Sequence, residues 1–193
     1  MVKKVLVPKP AVFLDRDGTI NVEKNYLYKS IDWEWIPGAI DAIKLLNKNK
    51  FFVVVVSNQS GIARNKYGHD EVDFLHDWVS GELSQHGAWI DGYYYCPHHP
   101  DWGDLKKCDC RKPKIGMLLK ATADLGIDLK KSWMIGDKLI DMEAGAAAGV
   151  RTIMVSTGRG AVESKASRGD QVIAPALLEA TRSLLSSVSR SRQ

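Results

Sequence analysis

The sequence contains few cysteines, no long apolar run and only a small excess of positive charge. Its three cysteines cannot form the disulfide framework of a small secreted domain, which indicates a reducing, cytoplasmic compartment. No apolar stretch approaches the roughly 20 residues that a membrane span needs, and residues 1–8 are too poor in apolar side chains for a signal peptide. A net charge of +4 is too small to indicate a nucleic-acid partner. We therefore expect neither a membrane nor a nucleic acid as partner.

The length and composition of the chain indicate a single soluble domain. A chain of 193 residues that is 45% hydrophobic and 26% charged can bury a sizeable core and has the composition of a globular protein. Neither a repeat nor a linker divides it, so residues 1–193 are expected to form one domain that acts as a monomer. Residues 1–10 and 186–193 are expected to be a mobile leader and a mobile tail.

Apolar runs typical of strands alternate along the chain with runs of helical periodicity. Aromatic and β-branched residues predict strands over residues 11–15, 51–56, 90–95, 132–135 and 150–155, with a short edge strand at 172–173. Helices are predicted after most of these strands, including residues 70–85 and 175–185. The alternation predicts an α/β fold in which helices cover both faces of a central parallel sheet, connected by right-handed crossovers.

The predicted strands end in acidic, hydroxyl and basic side chains. In chain order these are Asp15, Asp17, Ser57, Lys112, Asp137 and Asp141. The carboxyl ends of parallel strands meet at one edge of the sheet, where open α/β sheets bind their ligands, so these side chains are expected to converge. Asp15 and Asp17 point the same way in an extended segment, so one carboxylate can attack a substrate while the other transfers protons.

The same side chains predict a divalent cation and a phosphate group as ligands. Three converging carboxylates repel one another, and Mg²⁺ is the usual oxygen-seeking cation that relieves such repulsion. Ser57 offers a hydrogen-bond donor to phosphate oxygens and Lys112 offers a positive charge, while nearby helix N-termini add backbone N–H groups. Asp141 either supports the metal ligands from behind or complements the dipole of the helix that follows.

All three cysteines lie close together in sequence, next to two histidines. Cys96-Pro97-His98 and Cys108-Asp109-Cys110 are separated by nine residues, and three thiolates with one imidazole form a closed tetrahedral set typical of structural zinc. The spacing allows either His98 or His99 as the fourth ligand. Zinc bound in this loop, residues 96–110, would order a segment with almost no apolar side chains. It would thereby hold Arg111 and Lys112 at the sheet edge.

The polar strand ends resemble the four motifs of the haloacid dehalogenase-like (HAD) phosphohydrolases. The corresponding segments are Asp15-Arg16-Asp17-Gly18-Thr19, Ser57, Lys112 and Gly136-Asp137-Lys138-Leu139-Ile140-Asp141, in the order of the family. The resemblance implies a three-layer Rossmann-like fold in which Asp15 forms an aspartyl phosphate and Asp17 acts as general acid and base. It also implies that Mg²⁺ binds Asp15, Asp137 and the backbone carbonyl of Asp17, while Ser57 and Lys112 stabilise the transferring phosphoryl group.

Three further segments are similar to one branch of that superfamily. They are Ser-Asn-Gln-Ser-Gly-Ile-Ala-Arg at 57–64, Cys-Pro-His-His-Pro at 96–100 and Cys-Asp-Cys-Arg-Lys-Pro-Lys at 108–114. The branch contains D-glycero-D-manno-heptose 1,7-bisphosphate 7-phosphatases and histidinol-phosphate phosphatases. The first activity would serve nucleotide-heptose and lipopolysaccharide precursor synthesis, and the second would serve histidine synthesis. The branch pattern also implies His98 as the zinc ligand, and residues 18–50 and 96–112 leave no room for a separate cap domain.

The resemblance implies which residues contact a small phosphorylated sugar. They are Glu23, Lys24, Asn25, Tyr26, Ser57, Asn58, Gln59, Ser60, Arg111, Lys112 and Lys138. Arg111 is expected to recognise the part of the substrate remote from the reacting phosphate. The chain departs from the family pattern at Glu23, where aspartate is usual, and at Asn25, where glycine is usual.

Two functions of other classes remain as alternatives. The first is a zinc-stabilised binding module without turnover, which the intact set of acids and Lys112 opposes. The second is a nucleic-acid end phosphatase, which would need a basic groove with interleaved aromatic residues. The aromatic residues of this chain do not cluster with lysine or arginine, except around Tyr26-Leu27-Tyr28-Lys29, which we interpret as loop packing.

Overall fold

A six-stranded parallel sheet lies at the centre of the protein. The computed structural model describes residues 7–103, 107–165 and 171–190. The strands are β1 (Ala11–Leu14), β2 (Phe52–Asn58), β3 (Gly92–Cys96), β4 (Trp133–Gly136), β5 (Arg151–Val155) and β6 (Ile173–Ala174). They pair in the order β3-β2-β1-β4-β5-β6, and every pairing is parallel. Strand β1 is therefore central, with β2 on one side and β4 on the other.

The side chains of β1 alternate between two apolar cores, one on each face of the sheet. Val12 and Leu14 pack into the first core, and Ala11 and Phe13 pack into the second. All four side chains are fully buried. A continuous apolar run is what a strand covered on both faces requires, and this explains why the segment before Asp15 contains no polar residue.

Helices cover both faces of the sheet. Within the described ranges they are α1 (Ala39–Lys48), α2 (His69–Gln85), α3 (Gly116–Leu125), α4 (Leu139–Ala147), α5 (Gly160–Glu163) and α6 (Leu177–Arg190). Helices α1, α2 and α6 contribute Ile43, Leu83 and Leu184 to the first core. Helix α3 contributes Leu118 to the second core, with Phe13. The three-layer α/β fold predicted from the sequence is confirmed.

Two long loops lie next to the sheet edge. Between β1 and α1 the chain forms a loop with one 3₁₀ turn, Ser30–Asp32, and between β3 and α3 it forms the predicted zinc loop. Residues 104–106 of that loop lie outside the described part of the chain. Elsewhere neither connection contains a separate cap domain. No described helix has the length and apolar character needed to cross a membrane.

Both predicted mobile ends are partly ordered. The backbone N–H of Lys9 donates to Gly126 O at 3.1 Å, and Lys9 O accepts from the N–H of Asp128 at 2.8 Å. Helix α6 continues to Arg190, five residues beyond its predicted end, because Leu185 and Val188 still pack against the first core. Residues 1–6 and 191–193, which the prediction also counted as mobile, lie outside the described residues.

Candidate active site

The carboxyl ends of β1, β2 and β4 bring the predicted catalytic residues into one buried group. Asp15 follows β1, Ser57 lies near the end of β2, and Asp137 follows β4. Lys112 reaches the group from the loop before α3, and Asp141 reaches it from the first turn of α4. All five residues are at most 3% exposed. The structure therefore brings together five of the six side chains that the strand pattern predicted for this edge, and the sixth, Asp17, is half-buried and lines the cleft beside them.

Lys112 forms ion pairs with two of the buried carboxylates. Its Nζ donates to Asp15 Oδ1 at 2.9 Å, lies 2.7 Å from Asp141 Oδ1, and donates to the backbone oxygen of Val56 at 2.6 Å. Burial lowers the pKa of Lys112, but the charges of Asp141 and Asp15 outweigh burial and raise that pKa above its usual range. Lys112 is therefore a fixed positive charge at the side of Asp15.

The three buried carboxyl groups differ in proton affinity. Burial alone raises the pKa of Asp15, but the ammonium groups of Lys112 and Lys138 outweigh burial and hold that pKa well below its usual range. Burial, together with the charge of Asp15, raises the pKa of Asp137 to about 7. Burial also raises the pKa of Asp141 to about 6, against the opposing charge of Lys112. Asp15 is thus the most strongly ionised of the three, as a nucleophile must be.

Two glycines make room for the carboxylate of Asp137. A Cβ on Gly18 would lie 2.2 Å from Asp137 Oδ2, and a Cβ on Gly158 would lie 2.3 Å from the same atom. Gly18 also has a φ of +92°, a conformation that glycine adopts at little cost. The loop after β5 is tied to this region, because Thr157 Oγ1 donates to Gly18 O at 2.6 Å and Arg159 N donates to Asp137 Oδ2 at 2.8 Å.

The ammonium group of Lys138 lies among three oxygen atoms that the sequence predicted as Mg²⁺ ligands. Its Nζ is 3.1 Å from the backbone oxygen of Asp17, 3.3 Å from Asp15 Oδ2 and 3.3 Å from Asp137 Oδ1. A fourth oxygen, Glu23 Oε2, lies 3.7 Å from it. We call the first three atoms the oxygen triad. They converge on a point at which a positive charge is stabilised.

The oxygen triad fits a hard divalent cation. Its atoms are carboxylate and carbonyl oxygens, the donors that Mg²⁺ prefers. Asp137 Oδ1 and Asp141 Oδ1 are both buried and receive no hydrogen bond of good geometry from the described residues, although Lys138 and Lys112 respectively are within ion-pair distance. Asp141 differs in its second oxygen, since its Oδ2 accepts from the backbone N–H of Lys138 at 3.1 Å. That second contact caps α4, in agreement with one of the two roles considered for Asp141.

Replacement of Lys138 by methionine is expected to strengthen Mg²⁺ binding and to lower the thermal stability of the metal-free protein. The ammonium group competes with a cation for the oxygen triad. In the metal-free variant, which lacks this ammonium group, the repulsion between the carboxylates is no longer neutralised. We expect Mg²⁺ affinity, measured by titration calorimetry, to rise about tenfold, which corresponds to about 1.4 kcal/mol. The unfolding temperature in EDTA should fall. Lys24→Met is the control, because Lys24 is partly exposed and pairs with Glu34. Equal Mg²⁺ affinity in Lys138→Met and the parent protein would contradict this prediction.

The predicted recognition loop contributes some of its residues to the cleft above Asp15. Glu23, Asn25 and Tyr26 line this cleft, whereas the Nζ of Lys24 lies 3.1 Å from Glu34 Oε2, and Lys24 is not among the residues that line it. Asn25 and Tyr26 have φ values of 48° and 62°. This left-handed backbone explains why glycine is usual in the family at position 25, and asparagine tolerates the same conformation better than most residues.

The predicted substrate residues at the end of β2 and beside α3 have different surroundings. Ser57, Asn58, Gln59, Ser60, Arg111 and Lys112 all line the cleft. The amide of Asn58, however, pairs with the backbone of Lys112, donating to its oxygen at 3.1 Å and accepting from its N–H at 3.0 Å. Arg111 donates from Nη1 to the backbone oxygen of His98 at 3.0 Å. Asn58 thus holds Lys112 in place, while Arg111 joins the cleft to the zinc loop.

Three residues that the sequence did not single out also line the cleft: Tyr67, Ile140 and Arg159. Arg159 comes shortly after β5, so the rule that located Asp15 at the end of β1 could have found it. Tyr67 and Ile140 carry no comparable signal. Tyr67 follows the segment 57–64 by three residues and Ile140 lies within the segment 136–141, but an aromatic or apolar side chain near a motif does not by itself indicate a place in the cleft.

The four predicted zinc ligands lie together at the end of β3. Cys96 Sγ is 3.6 Å from Cys108 Sγ and 3.6 Å from His98 Nδ1, and that nitrogen is 3.3 Å from Cys110 Sγ. Sulfur atoms bound about 2.3 Å from a tetrahedral zinc lie about 3.8 Å apart, so these separations fit the ion. His99 is directed elsewhere, with its Nε2 3.1 Å from Arg64. The geometry therefore favours His98 of the two histidines.

Comparison with known proteins agrees with this fold. A family model described as HAD-hydrolase-like matches residues 109–180. A protein of Escherichia coli K12 named D-glycero-beta-D-manno-heptose-1,7-bisphosphate 7-phosphatase is 49% identical over 155 residues, covering 78% of this chain and 81% of that protein. One of the same name from Haemophilus ducreyi is 43% identical over 169 residues, covering 86% and 93%.

A solved structure resembles most of the chain. It is the D,D-heptose 1,7-bisphosphate phosphatase of B. bronchiseptica complexed with magnesium and phosphate, with a TM-score of 0.84 and 32% identity over 92% of this chain and 99% of that one. The chain belongs to the HAD-like hydrolases, and it is a phosphoric monoester hydrolase. Within that family its relatives are the heptose-1,7-bisphosphate 7-phosphatases.

Proposed function

We propose that the protein hydrolyses the 7-phosphate of D-glycero-D-manno-heptose 1,7-bisphosphate, a step toward nucleotide-heptose and lipopolysaccharide precursors. One observation carries the proposal. The relatives that bear this name are 43–49% identical to a chain whose buried strand ends hold Asp15, Lys112 and Asp137 at one cleft. That cleft is lined mainly by polar and charged side chains, as recognition of a phosphorylated sugar requires.

In the proposed reaction Asp15 is the nucleophile and Asp17 moves the protons. A carboxylate oxygen of Asp15 forms a bond to phosphorus while the bond from phosphorus to the sugar oxygen breaks, and Asp17 gives its proton to that oxygen. A water molecule then attacks the aspartyl phosphate. Asp17 accepts a proton from this water, the Asp15–phosphorus bond breaks, and inorganic phosphate leaves with Asp15 restored.

The remaining buried groups hold the phosphoryl group and its charge. Lys112, 2.9 Å from Asp15 Oδ1, and the hydroxyl of Ser57 would bind the phosphoryl oxygens as negative charge moves across them. Asp15, Asp137 and the Asp17 carbonyl would hold Mg²⁺, which supplies further neutralisation of that charge. The magnesium and phosphate in the related B. bronchiseptica structure support this assignment.

We propose a structural role for zinc bound by Cys96, His98, Cys108 and Cys110. Cys110 precedes Arg111 and Lys112 directly, so a fixed loop fixes the position of both basic residues. Thiolate ligands need a reducing compartment, which supports a cytoplasmic protein. Every residue assigned to the reaction comes from one chain, so a monomer suffices.

The charges of the cleft favour a sugar bisphosphate over histidinol phosphate. Besides the groups around the reacting phosphate, two guanidinium groups, of Arg111 and Arg159, line the cleft against one carboxylate, of Glu23, whose Oε2 lies 3.7 Å from Lys138 Nζ. A second phosphate would pair with such guanidinium groups, whereas the ammonium group of histidinol would be repelled by them. We assign Arg111 to the second phosphate, with Glu23, Asn25, Tyr26 and Ser60 around the sugar.

Phosphate release from a panel of substrates tests the proposed function. The panel contains both anomers of heptose 1,7-bisphosphate, fructose 1,6-bisphosphate and histidinol phosphate, each with and without Mg²⁺. We expect one heptose anomer to have a kcat/KM at least about tenfold above the other sugars, with ³¹P NMR showing that the 1-phosphate remains. A preference for histidinol phosphate, or a product that retains the 7-phosphate, contradicts the proposal.

A further inference from the structure

The side-chain amide of Gln59 is fully hydrogen-bonded inside the protein. Its Nε2 donates to Asp17 Oδ2 at 3.0 Å and to Ser57 Oγ at 2.6 Å. Its Oε1 accepts from Tyr67 Oη at 2.7 Å and from Arg16 Nη2 at 3.3 Å. These four contacts use both amide hydrogens and both lone pairs, and Gln59 is only 2% exposed. The amide has no capacity left for a substrate.

The amide joins two side chains that the proposed reaction uses for different tasks. Asp17 moves the protons and Ser57 binds the transferring phosphoryl group, and Gln59 Nε2 contacts both of them. Asp17 is held from its other side by Arg16, at 3.1 Å, and by Asn21, at 3.0 Å. Without Gln59, the donor that bridges Asp17 to the end of β2 is lost.

Tyr67 determines the orientation of the Gln59 amide. Burial raises the pKa of Tyr67 to about 12, so its hydroxyl keeps its proton and donates it to Gln59 Oε1. Its ring stacks on Tyr28, with centroids 5.1 Å apart, and is 7% exposed. Gly61 allows this position, because a Cβ at residue 61 would lie 2.3 Å from the ring. With the amide oxygen turned toward Tyr67, the amide nitrogen must face Asp17 and Ser57.

We propose that Gln59, oriented by Tyr67, is a positioning residue that fixes the side chains of Asp17 and Ser57 relative to each other, and that it is not a substrate ligand. This inference rests on the proposed function, since the tasks of Asp17 and Ser57 come from it. It revises the expectation from the sequence that Gln59 contacts the substrate. A small displacement of either side chain lowers the rate of the chemical step without lowering substrate affinity.

Kinetics of Gln59→Leu and Tyr67→Phe test the proposal. We expect kcat for the best sugar phosphate to fall about 10²-fold in Gln59→Leu and about threefold to tenfold in Tyr67→Phe, with KM within about twofold of the parent value. Tyr28→Phe, which leaves the Tyr67 hydroxyl in place, is the matched control and should keep the parent rate. Thermal unfolding of each variant identifies any that fail to fold, and Tyr67→Phe keeps the ring stack in any case.

A second substrate separates positioning of the proton donor from general damage. 4-Nitrophenyl phosphate has a leaving group that needs no proton, so kcat/KM of Gln59→Leu should fall several-fold less with it than with the sugar phosphate. A raised KM with an unchanged kcat, or equal losses with both esters, overturns the positioning role. A parent protein that prefers a different alkyl phosphate overturns only the proposed substrate, and that ester then replaces the heptose in this comparison. A parent protein inactive on every ester overturns both.

Discussion

Asp15→Asn should abolish phosphate release from every substrate while the protein stays folded. An amide is a far weaker nucleophile than a carboxylate, so we expect kcat to fall at least about 10³-fold. Stability should not fall in parallel. The buried group holds three carboxylates and the two ammonium groups of Lys112 and Lys138, and the variant removes the excess negative charge. The measurements are phosphate release with Mg²⁺ and the unfolding temperature of both proteins.

Asp141→Asn is the matched control for the Asp15 variant. Asp141 also pairs with Lys112, at 2.7 Å, and lies in the same buried group, but the proposed reaction assigns it no bond making. We expect its kcat to fall much less than that of Asp15→Asn, and the cap on α4 to survive, because the asparagine oxygen can still accept from the backbone N–H of Lys138. Rapid-quench mass spectrometry should find phosphate on Asp15 in the Asp141 variant. No phosphate release from any substrate, with Asp15→Asn behaving like the parent protein, would favour the binding module without turnover.

Loss of zinc should lower both stability and catalysis, and His98→Ala should reproduce the effect. His98 Nδ1 lies 3.3 Å from Cys110 Sγ, and the backbone oxygen of His98 accepts a hydrogen bond from Arg111. Structural zinc contributes about 10 to 16 kcal/mol to folding in zinc-finger peptides, so we expect a fall of several kcal/mol here. We expect kcat to fall about 10²-fold, because Lys112 loses its fixed position. Zinc content, unfolding temperature and kcat are measured together.

The neighbouring histidine gives this experiment its control. His99 contacts Arg64 and the backbone N–H of Asp101, away from the thiols. His99→Ala should therefore keep one zinc per chain and most of the activity. If His98→Ala retains zinc and His99→Ala loses it, His99 and not His98 is the zinc ligand. Freshly purified, reduced parent protein without zinc would refute the metal site altogether.

The fold could be predicted because its signals are local and repeated. Phe52–Asn58 reads as a buried strand from its β-branched residues alone, and the alternation with helical segments then implies a parallel sheet. The site followed from the same rule, since Asp15, Ser57 and Asp137 come at strand ends that must lie side by side. Ends of elements were less accurate, as α6 shows, because the last turns of a helix depend on packing that the periodicity does not display.

The contacts of individual side chains in the loops could not be predicted in the same way. Substrate contacts of Lys24, Lys138 and Gln59 stay predictions, and Lys138 and Gln59 do line the cleft. The resemblance did not indicate the contacts that these side chains make within the protein, where Lys24 pairs with Glu34, Lys138 lies among the oxygen triad, and the Gln59 amide donates to Asp17. Side-chain direction in a loop depends on backbone angles that no period of two or 3.6 residues determines. A family pattern indicates that such residues lie near the site, but not which neighbour they contact.

The position of Lys138 has a consequence for how a newly made chain matures. Because its ammonium group already neutralises the oxygen triad, the sheet edge can fold before any magnesium arrives. The zinc loop has few apolar side chains, and no lysine or arginine of its described residues lies among the four ligands, so we expect its metal to be needed during folding. Scarcity of the two metals should then differ in outcome. Too little zinc would reduce the amount of folded protein in a cell. Too little magnesium would leave the protein folded but inactive.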